Sequence, residues 1–423
     1  MITATTCAHL FDANNTPTVP AAFWEHFVSL SDDKTQPVVL EQDTLIEPLL
    51  GLEDAFDLAR NVVESGDMTV NADGQMLKQP AVPNFPSDFD GFEQFVRDFA
   101  ALNNADGITF TRDYCLKHSS TVTTKLRAFT HGYNERYGMP YPGANAVFIG
   151  GRYRSTWIGL HNDSCDTFLF PLYGRKRMMI WPPAYFDDMA LEKKSALNGV
   201  CFGHIDVTPY AADATIYEVG PGEIFFIPAG WWHYNKLEEL ETTLTVSVGM
   251  FSHGTAQGFC ENPIKAAIVS RAGTALTGAI AQVPSRVFES LADVTLPSTV
   301  AQFVDSIRDN SKIQMLLKLS ANGIIRDRTL GHPGSAECWQ RVIRARADSP
   351  LYILALDKEA GLLFAGGAML SVQHLQEVRT LINVLQGEAP ITLAKALPEQ
   401  ADNEQVHAVV RWLYEQAAID VFT

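Results

Sequence analysis

Two histidines and an aspartate carry the strongest chemical signal in the sequence. His161-Asn162-Asp163 sets an imidazole and a carboxylate two residues apart, and on a strand residues i and i+2 point to the same face. Taken alone, the pair is equally an ordinary polar turn. About 70 residues later, Gly220-Pro-Gly-Glu-Ile-Phe-Phe-Ile-Pro-Ala-Gly-Trp-Trp-His233 feeds a glycine turn into an apolar strand and ends it at a proline. It then presents His233 behind two tryptophans. The three side chains make a two-histidine, one-carboxylate set. Such a set covers one face of an octahedral ion, leaves three positions open, and suits Fe(II) and oxygen chemistry. Lys176 follows His161 by 15 residues, after an apolar strand and a turn. A lysine inside a barrel needs an anion, because an unpaired buried charge is costly, and a dicarboxylate co-substrate supplies one. Outside such a site it reads as a surface side chain.

These residues need strands to hold them, and residues 145–253 read as strands. Short apolar segments recur at Ala146–Ile149, Thr167–Phe170, Arg177–Trp181, Ile224–Ile227 and Leu244–Val248, with Gly- and Pro-rich turns between them. That spacing predicts a jelly-roll type of β-barrel, whose mouth is a usual place for a metal or ligand. Upstream, residues 1 to about 145 mix helices and short strands. Gln36–Leu40 reads as a strand. A helix is expected to start at Asp90, which has capping-box spacing to Glu93, with Phe92, Phe95, Val96 and Phe99 as its apolar stripe. From about 260 the pattern turns helical, and 261–345 is expected to be a linker or dimerising segment. Residues 346–423 form a separate block. Leu351–Leu356 and Gly361–Phe364 read as strands. Leu375, Val378, Ile382 and Leu385 then share one helix face, and Val406, Val409, Val410 and Leu413 another. Two helices with short strands fit a winged-helix-like module.

On these motifs, residues from about Asn145 to Ser252 resemble the Jumonji-C (JmjC) domain of Fe(II)- and 2-oxoglutarate-dependent oxygenases, in the style of its protein hydroxylases. The resemblance implies an α+β chain built on a double-stranded β-helix, cupin-like barrel within residues 1–260. It implies His161, Asp163 and His233 as Fe(II) ligands, and Lys176, in Gly-Arg-Lys-Arg, as partner of the far carboxylate of 2-oxoglutarate. Pro182-Pro183 and Gly220-Pro-Gly-Glu also match. Many relatives carry asparagine six residues after the first ligand histidine and again on the strand after the distal one; Thr167 and Ser247 stand there here. With Asn145, these are the further co-substrate contacts expected. The barrel, helical segment and C-terminal block together are loosely similar to the ribosomal oxygenases. The implied reaction consumes O2 and 2-oxoglutarate, releases succinate and CO2, and hydroxylates a C–H bond. Trp157, Trp231 and Trp232 are candidates for the pocket wall, with barrel core as the plain alternative for Trp231.

Composition limits the partners. The chain has 423 residues, is 46% hydrophobic and carries a formal charge of −17, so it has apolar material for more than one core and a field that repels phosphate backbones and acidic lipid. Between Leu351 and Thr423 there are four basic residues (Lys358, Arg379, Lys395, Arg411) against nine acidic ones, which opposes DNA binding by phosphate neutralisation. A protein or peptide substrate, basic in character, is expected; nucleic acid and membrane are not, and a homodimer is plausible. Six scattered cysteines without a CxxC pair read as reduced thiols. The first basic residue is Lys34, and the most apolar run, Ala266–Val283, is broken by Arg271. A cytoplasmic protein is therefore expected. Competing readings are a small-molecule oxygenase, a demethylase using the same chemistry, and a non-catalytic cupin-like metal-binding protein.

Overall fold

Alternation along the strands decides which way each side chain points. The computed structural model describes residues 19–41, 49–140, 143–156, 158–187, 194–196, 199–203, 205–251, 298–324, 338–346, 348–387, 389–416 and 418–422. Its strands are β1 (Val38–Glu41), β2 (Thr69–Ala72), β3 (Gln75–Leu77), β4 (Ile108–Asp113), β5 (Ala144–Tyr153), β6 (Leu160–Asp163) and β7 (Asp166–Tyr173). Then come β8 (Lys176–Trp181), β9 (Lys194–Ala196), β10 (Gly199–Gly203), β11 (Thr215–Val219), β12 (Glu223–Ile227), β13 (Trp232–Asn235) and β14 (Glu241–Met250). All five apolar segments expected as barrel strands lie in these elements.

The strands form two antiparallel sheets. The 8-stranded sheet has the order β1-β12-β7-β14-β5-β4-β2-β3, and the 6-stranded one β11-β8-β13-β6-β10-β9. This is the expected jelly-roll, cupin type of fold, although among the described residues no strand pairing closes the two sheets into one barrel. One face of the larger sheet (Phe148, Phe168, Phe170, Phe226, Leu244, Val246, Val248) packs on helices α1 (Ala21–Leu30), α2 (Leu52–Ser65), α3 (Phe92–Leu102) and α4 (Ser120–Tyr137). The outer face of the smaller sheet buries Leu160, Met179, Trp181, Trp232 and Tyr234. Leu169, Met178, Ile180, Phe225 and Ile227 meet between the sheets. The residues alternate with those of the outer faces, so the strand period itself separates the three cores.

The expected stripe of α3 is buried throughout, but its cap differs. Asp88, not Asp90, accepts a bond from Gly91 N–H (3.3 Å), across a 3-10 turn at Phe89–Gly91 that delays the helix to Phe92. Glu93 does not bond back to the cap. Its carboxylate accepts from Tyr173 Oη (3.0 Å) and Thr242 Oγ1 (2.9 Å), because the sheet offers better-placed donors than the turn.

Beyond the two sheets, the expected helical segment 261–345 contains helix α5 (Ser298–Leu319), while 261–297 and 325–337 lie outside the described residues; its end is not helical but forms a strand, Val342–Ala345, that belongs with the C-terminal block. The C-terminal block holds β15 (Val342–Ala345), β16 (Tyr352–Ala355), β17 (Gly361–Ala365), β18 (Ala368–Val372), helix α6 (Leu375–Leu385), β19 (Ile391–Thr392), helix α7 (Glu404–Glu415) and β20 (Ile419–Phe422). These strands make two three-stranded sheets, β19-β15-β20 and β16-β17-β18, more sheet than the two expected strands. The two helices bury the faces their periodicity marked. Among the described residues, no helix is long and apolar enough to cross a membrane.

Candidate metal and co-substrate site

Strands β6 and β13 are antiparallel neighbours with His161 directly opposite His233. Their imidazoles therefore emerge on one face, with ring centroids 4.1 Å apart. Asp163 lies two residues beyond His161 on that face, its Oδ2 3.7 Å from His233 Nε2. One ligand atom from each of the three residues falls within 4.8 Å of the others. The turn before β13 closes onto β6: Gly230 N–H donates to the Asp163 carbonyl (2.7 Å), and Gly230 takes φ +83°, a conformation natural to glycine.

Both imidazoles are oriented from behind. His161 Nδ1–H donates to the Gly159 carbonyl (2.9 Å) and His233 Nδ1–H to the Trp231 carbonyl (3.0 Å). A carbonyl only accepts, so Nδ1 of each ring carries a proton, and Nε2 is the atom turned towards the shared point. Burial, helped by the neighbouring His161, pushes His233 down to about 4, so it is neutral and fit to ligate. Two imidazole nitrogens and a carboxylate on one face suit Fe(II) with open positions.

Lys176 opens β8 and is 3% exposed. Its ammonium donates to the Tyr153 hydroxyl and lies 4.7 Å from the centroid of that ring. Thr243 Oγ1 donates to the same hydroxyl (2.7 Å). Tyr153 accepts twice and keeps its own proton to give. Among the described residues no carboxylate pairs with this lysine, so the site fits an incoming anion.

The remaining expected contacts lie on the facing sheet. Asn145 and Thr167 flank Gly249 in one cross-strand row, and Ser247 pairs with Val147 and Leu169 in the next. Thr167 Oγ1 is 3.5 Å from the Cys165 carbonyl. Asn145 is buried with its Oδ1 unbonded. Of the tryptophans, Trp232 faces away from the site: it stacks on Phe202, and its Nε1 donates to the Pro183 carbonyl (2.9 Å). It is the neighbour of His233 on β13 and so, by alternation, must point to the outer core. Trp231 packs against the cluster between the sheets, and Trp157 lies outside the described residues.

A second shell ties the ligand loop to the helices. Asp166 Oδ1 accepts from Ala229 N–H (3.1 Å), and its Oδ2 accepts from Tyr133 Oη (3.1 Å) and Lys34 Nζ (3.4 Å). Lys34 ends three consecutive residues, Asp32, Asp33 and Lys34, at positive φ. A surface cleft of about 240 Å³ beside Tyr153, lined by Asn71, Asp73, Arg154 and Leu240 among others, does not include the three ligands. The chemistry belongs to the inter-sheet face.

Residues 90–251 match the family described as the cupin-like domain. This stretch is similar to the cupin-like domain. Its similarity extends to the HSPB1-associated protein 1 homolog of Danio rerio, 32% identical over 118 residues (23% of this chain, 25% of that protein). JmjC domain-containing protein F of Dictyostelium discoideum is 28% identical over 121 residues (22% and 25%). The chain thus spans about a quarter of the curated relatives it matches. Among solved structures, E. coli YcfD covers 94% of this chain and 98% of its own, at 14% identity and a TM-score of 0.50, a likeness of fold. The JmjC-type resemblance seen in the motifs and the cupin architecture thus agree.

Sequence reasoning missed Tyr153, Asn235 and Thr245 on the inner faces of the cupin-like domain, and Asp166 behind its ligand loop. Asn235 had a signal: it stands two residues after His233 and so shares its face. Alternating Thr243, Thr245 and Ser247 on β14 gave another. Tyr153 had none, because only folding brings it to Lys176.

Proposed function

We propose that the chain is an Fe(II)- and 2-oxoglutarate-dependent oxygenase that hydroxylates a side chain of a protein or peptide. The observation that carries this reading is one inter-sheet face holding His161, Asp163 and His233 together with a buried lysine that has no carboxylate partner among the described residues. His161 Nε2, His233 Nε2 and the Asp163 carboxylate would hold the metal. Lys176 and Tyr153 would fix the far carboxylate of the co-substrate. With O2, the metal and 2-oxoglutarate supply the oxidising power, releasing succinate and CO2. The protein's own work is orientation: carbonyls behind the imidazoles set their tautomer, and the lysine and phenol define one pose for the anion.

A macromolecular substrate is supported by the charge of −17, which would steer a basic partner, and by the C-terminal block. YcfD, whose fold this chain shares, is described as a ribosomal oxygenase. We extend the class of substrate, the cytoplasmic setting and a homodimer to this chain as parts of the same proposal. The test is succinate release from 2-oxoglutarate by protein loaded with iron without oxygen and then exposed to air, beside His161→Ala. Turnover in the parent that vanishes in the variant supports the oxygenase. Neither turnover nor calorimetric uptake of 2-oxoglutarate leaves a metal-binding protein instead.

A further inference from the structure

The space between the sheets contains polar atoms that the fold leaves unsatisfied. Asn235 is 4% exposed, and among the described residues neither its Oδ1 nor its Nδ2 has a hydrogen-bond partner; Thr245 is 0% exposed, and its Oγ1 likewise has none there. Alternation aims both inward. Asn235 shares a face with His233, while Trp232 and Tyr234 point to the outer core. Thr245 shares a face with Thr243, which reaches Tyr153, while Leu244 and Val246 point at the helices. Register fixes their depth. His233 pairs with Ile180 and Asn235 with Met178, and Lys176 is the next residue of β8 on that face. Asn235 therefore stands between the imidazole layer and the ammonium. An unbonded amide and hydroxyl in a buried place are destabilising, and a bound polar ligand removes that penalty.

We infer that Asn235 and Thr245 contact the co-substrate, and with Lys176 and Tyr153 hydrogen-bond the far carboxylate of a five-carbon 2-oxo dicarboxylate. The inference rests on the co-substrate proposed above and adds two residues to its recognition. A carboxylate presents about four lone-pair sites. Lys176 and Tyr153 fill two, and the Asn235 amide and Thr245 hydroxyl supply donors for the rest.

The test is calorimetric titration of the full-length, Co(II)-loaded parent, Asn235→Leu and Thr245→Val. The ligands are 2-oxoglutarate and 2-oxopentanoate, which keeps the 2-oxo acid head and replaces the far carboxylate with a methyl group. Affinity for 2-oxoglutarate should fall at least about tenfold in Asn235→Leu and about threefold in Thr245→Val, while 2-oxopentanoate changes less than about twofold in either. Thermal denaturation of the ligand-free variants should show melting temperatures equal to the parent's or higher, since no internal hydrogen bond is lost. Unchanged binding of 2-oxoglutarate, equal losses for both ligands, or a lower melting temperature would each overturn the assignment. A parent that takes up no 2-oxoglutarate overturns the co-substrate reading itself, an outcome distinct from a parent and a variant that bind it equally.

Discussion

His233 is held in the state that the proposed metal ligation would need. Its pKa is held below the ordinary 6.5, at about 4, chiefly by burial. A histidine that binds its proton less readily when folded contributes stability above its unfolded pKa and loses it as pH falls. The metal-free protein should therefore weaken between about pH 6.5 and 4 through this residue, and His233→Gln should flatten that part of a stability–pH curve measured by denaturant titration. Lys176 poses the opposite problem, a cation kept indoors with a phenol for company. Lys176→Met should leave metal affinity within about twofold but weaken 2-oxoglutarate binding by about 1.5–3 kcal/mol, roughly ten- to a hundredfold. The same change should stabilise the ligand-free protein, because it removes a buried charge without an acidic partner. Calorimetry and thermal melts separate the two effects. That His161, Asp163, His233 and the lysine lie on the inter-sheet face was legible in the sequence, since an HxD, a distal histidine and a lysine are residue types with fixed spacing. Tyr153 was not, because only folding brings it to Lys176.

At the scale of elements, the ligand strand depends on groups far from it. Asp166 holds Ala229 N–H on one side and receives Tyr133 and Lys34 on the other, so α4 and the turn after α1 brace the loop that carries His233. Asp166→Asn keeps the volume but weakens charge-assisted acceptance. It should lower metal affinity about tenfold, within the range for outer-shell changes, and shift the d–d absorption of the Co(II)-loaded protein while the far-ultraviolet circular dichroism stays that of the parent. The cap of α3 gives a second test. Asp88→Ala should destabilise by about 0.5–1 kcal/mol, whereas Asp90→Ala, which removes no cap bond, should stay within about 0.5 kcal/mol. Denaturant midpoints decide between them. The helix stripe was readable from its period, but its start was not: Asp88 and Asp90 are both plausible caps, and the 3-10 turn that chooses between them depends on how Phe89 packs against Tyr173.

Across the whole molecule, a polar seam joins the barrel to the C-terminal block. Arg127 of α4 is fully buried and donates to the Gly366 carbonyl (3.2 Å). Burial lowers its pKa to about 10, opposed by the nearby Asp348. Asn134 donates to the Asn322 carbonyl (2.8 Å), Asn322 to that of Asp348 (2.5 Å), and Gly366 N–H to that of Ser320 (2.9 Å). Arg127→Met should cost about 1–3 kcal/mol by stranding the buried Gly366 carbonyl, read as a lower denaturant midpoint. The charge of −17 makes a further prediction at this scale. Affinity for a basic peptide substrate should fall steeply with added salt, and salt-insensitive binding would remove steering from the account.

By itself the sequence determined the chemical inventory and the local geometry. The strand period put His161 with Asp163, glycines and prolines marked the turns, and apolar stripes marked the helix faces. These follow from interactions within a few residues, which any chain of this composition makes wherever it folds. The tertiary structure alone decided that β6 lies beside β13 in the register that faces His161 with His233. It also decided that Lys176 meets Tyr153, that Trp232 turns outward, and that Asn235 and Thr245 are left without partners. Strand register across long stretches of chain is set by which faces can be buried together, and that is a property of the assembled sheets rather than of any segment.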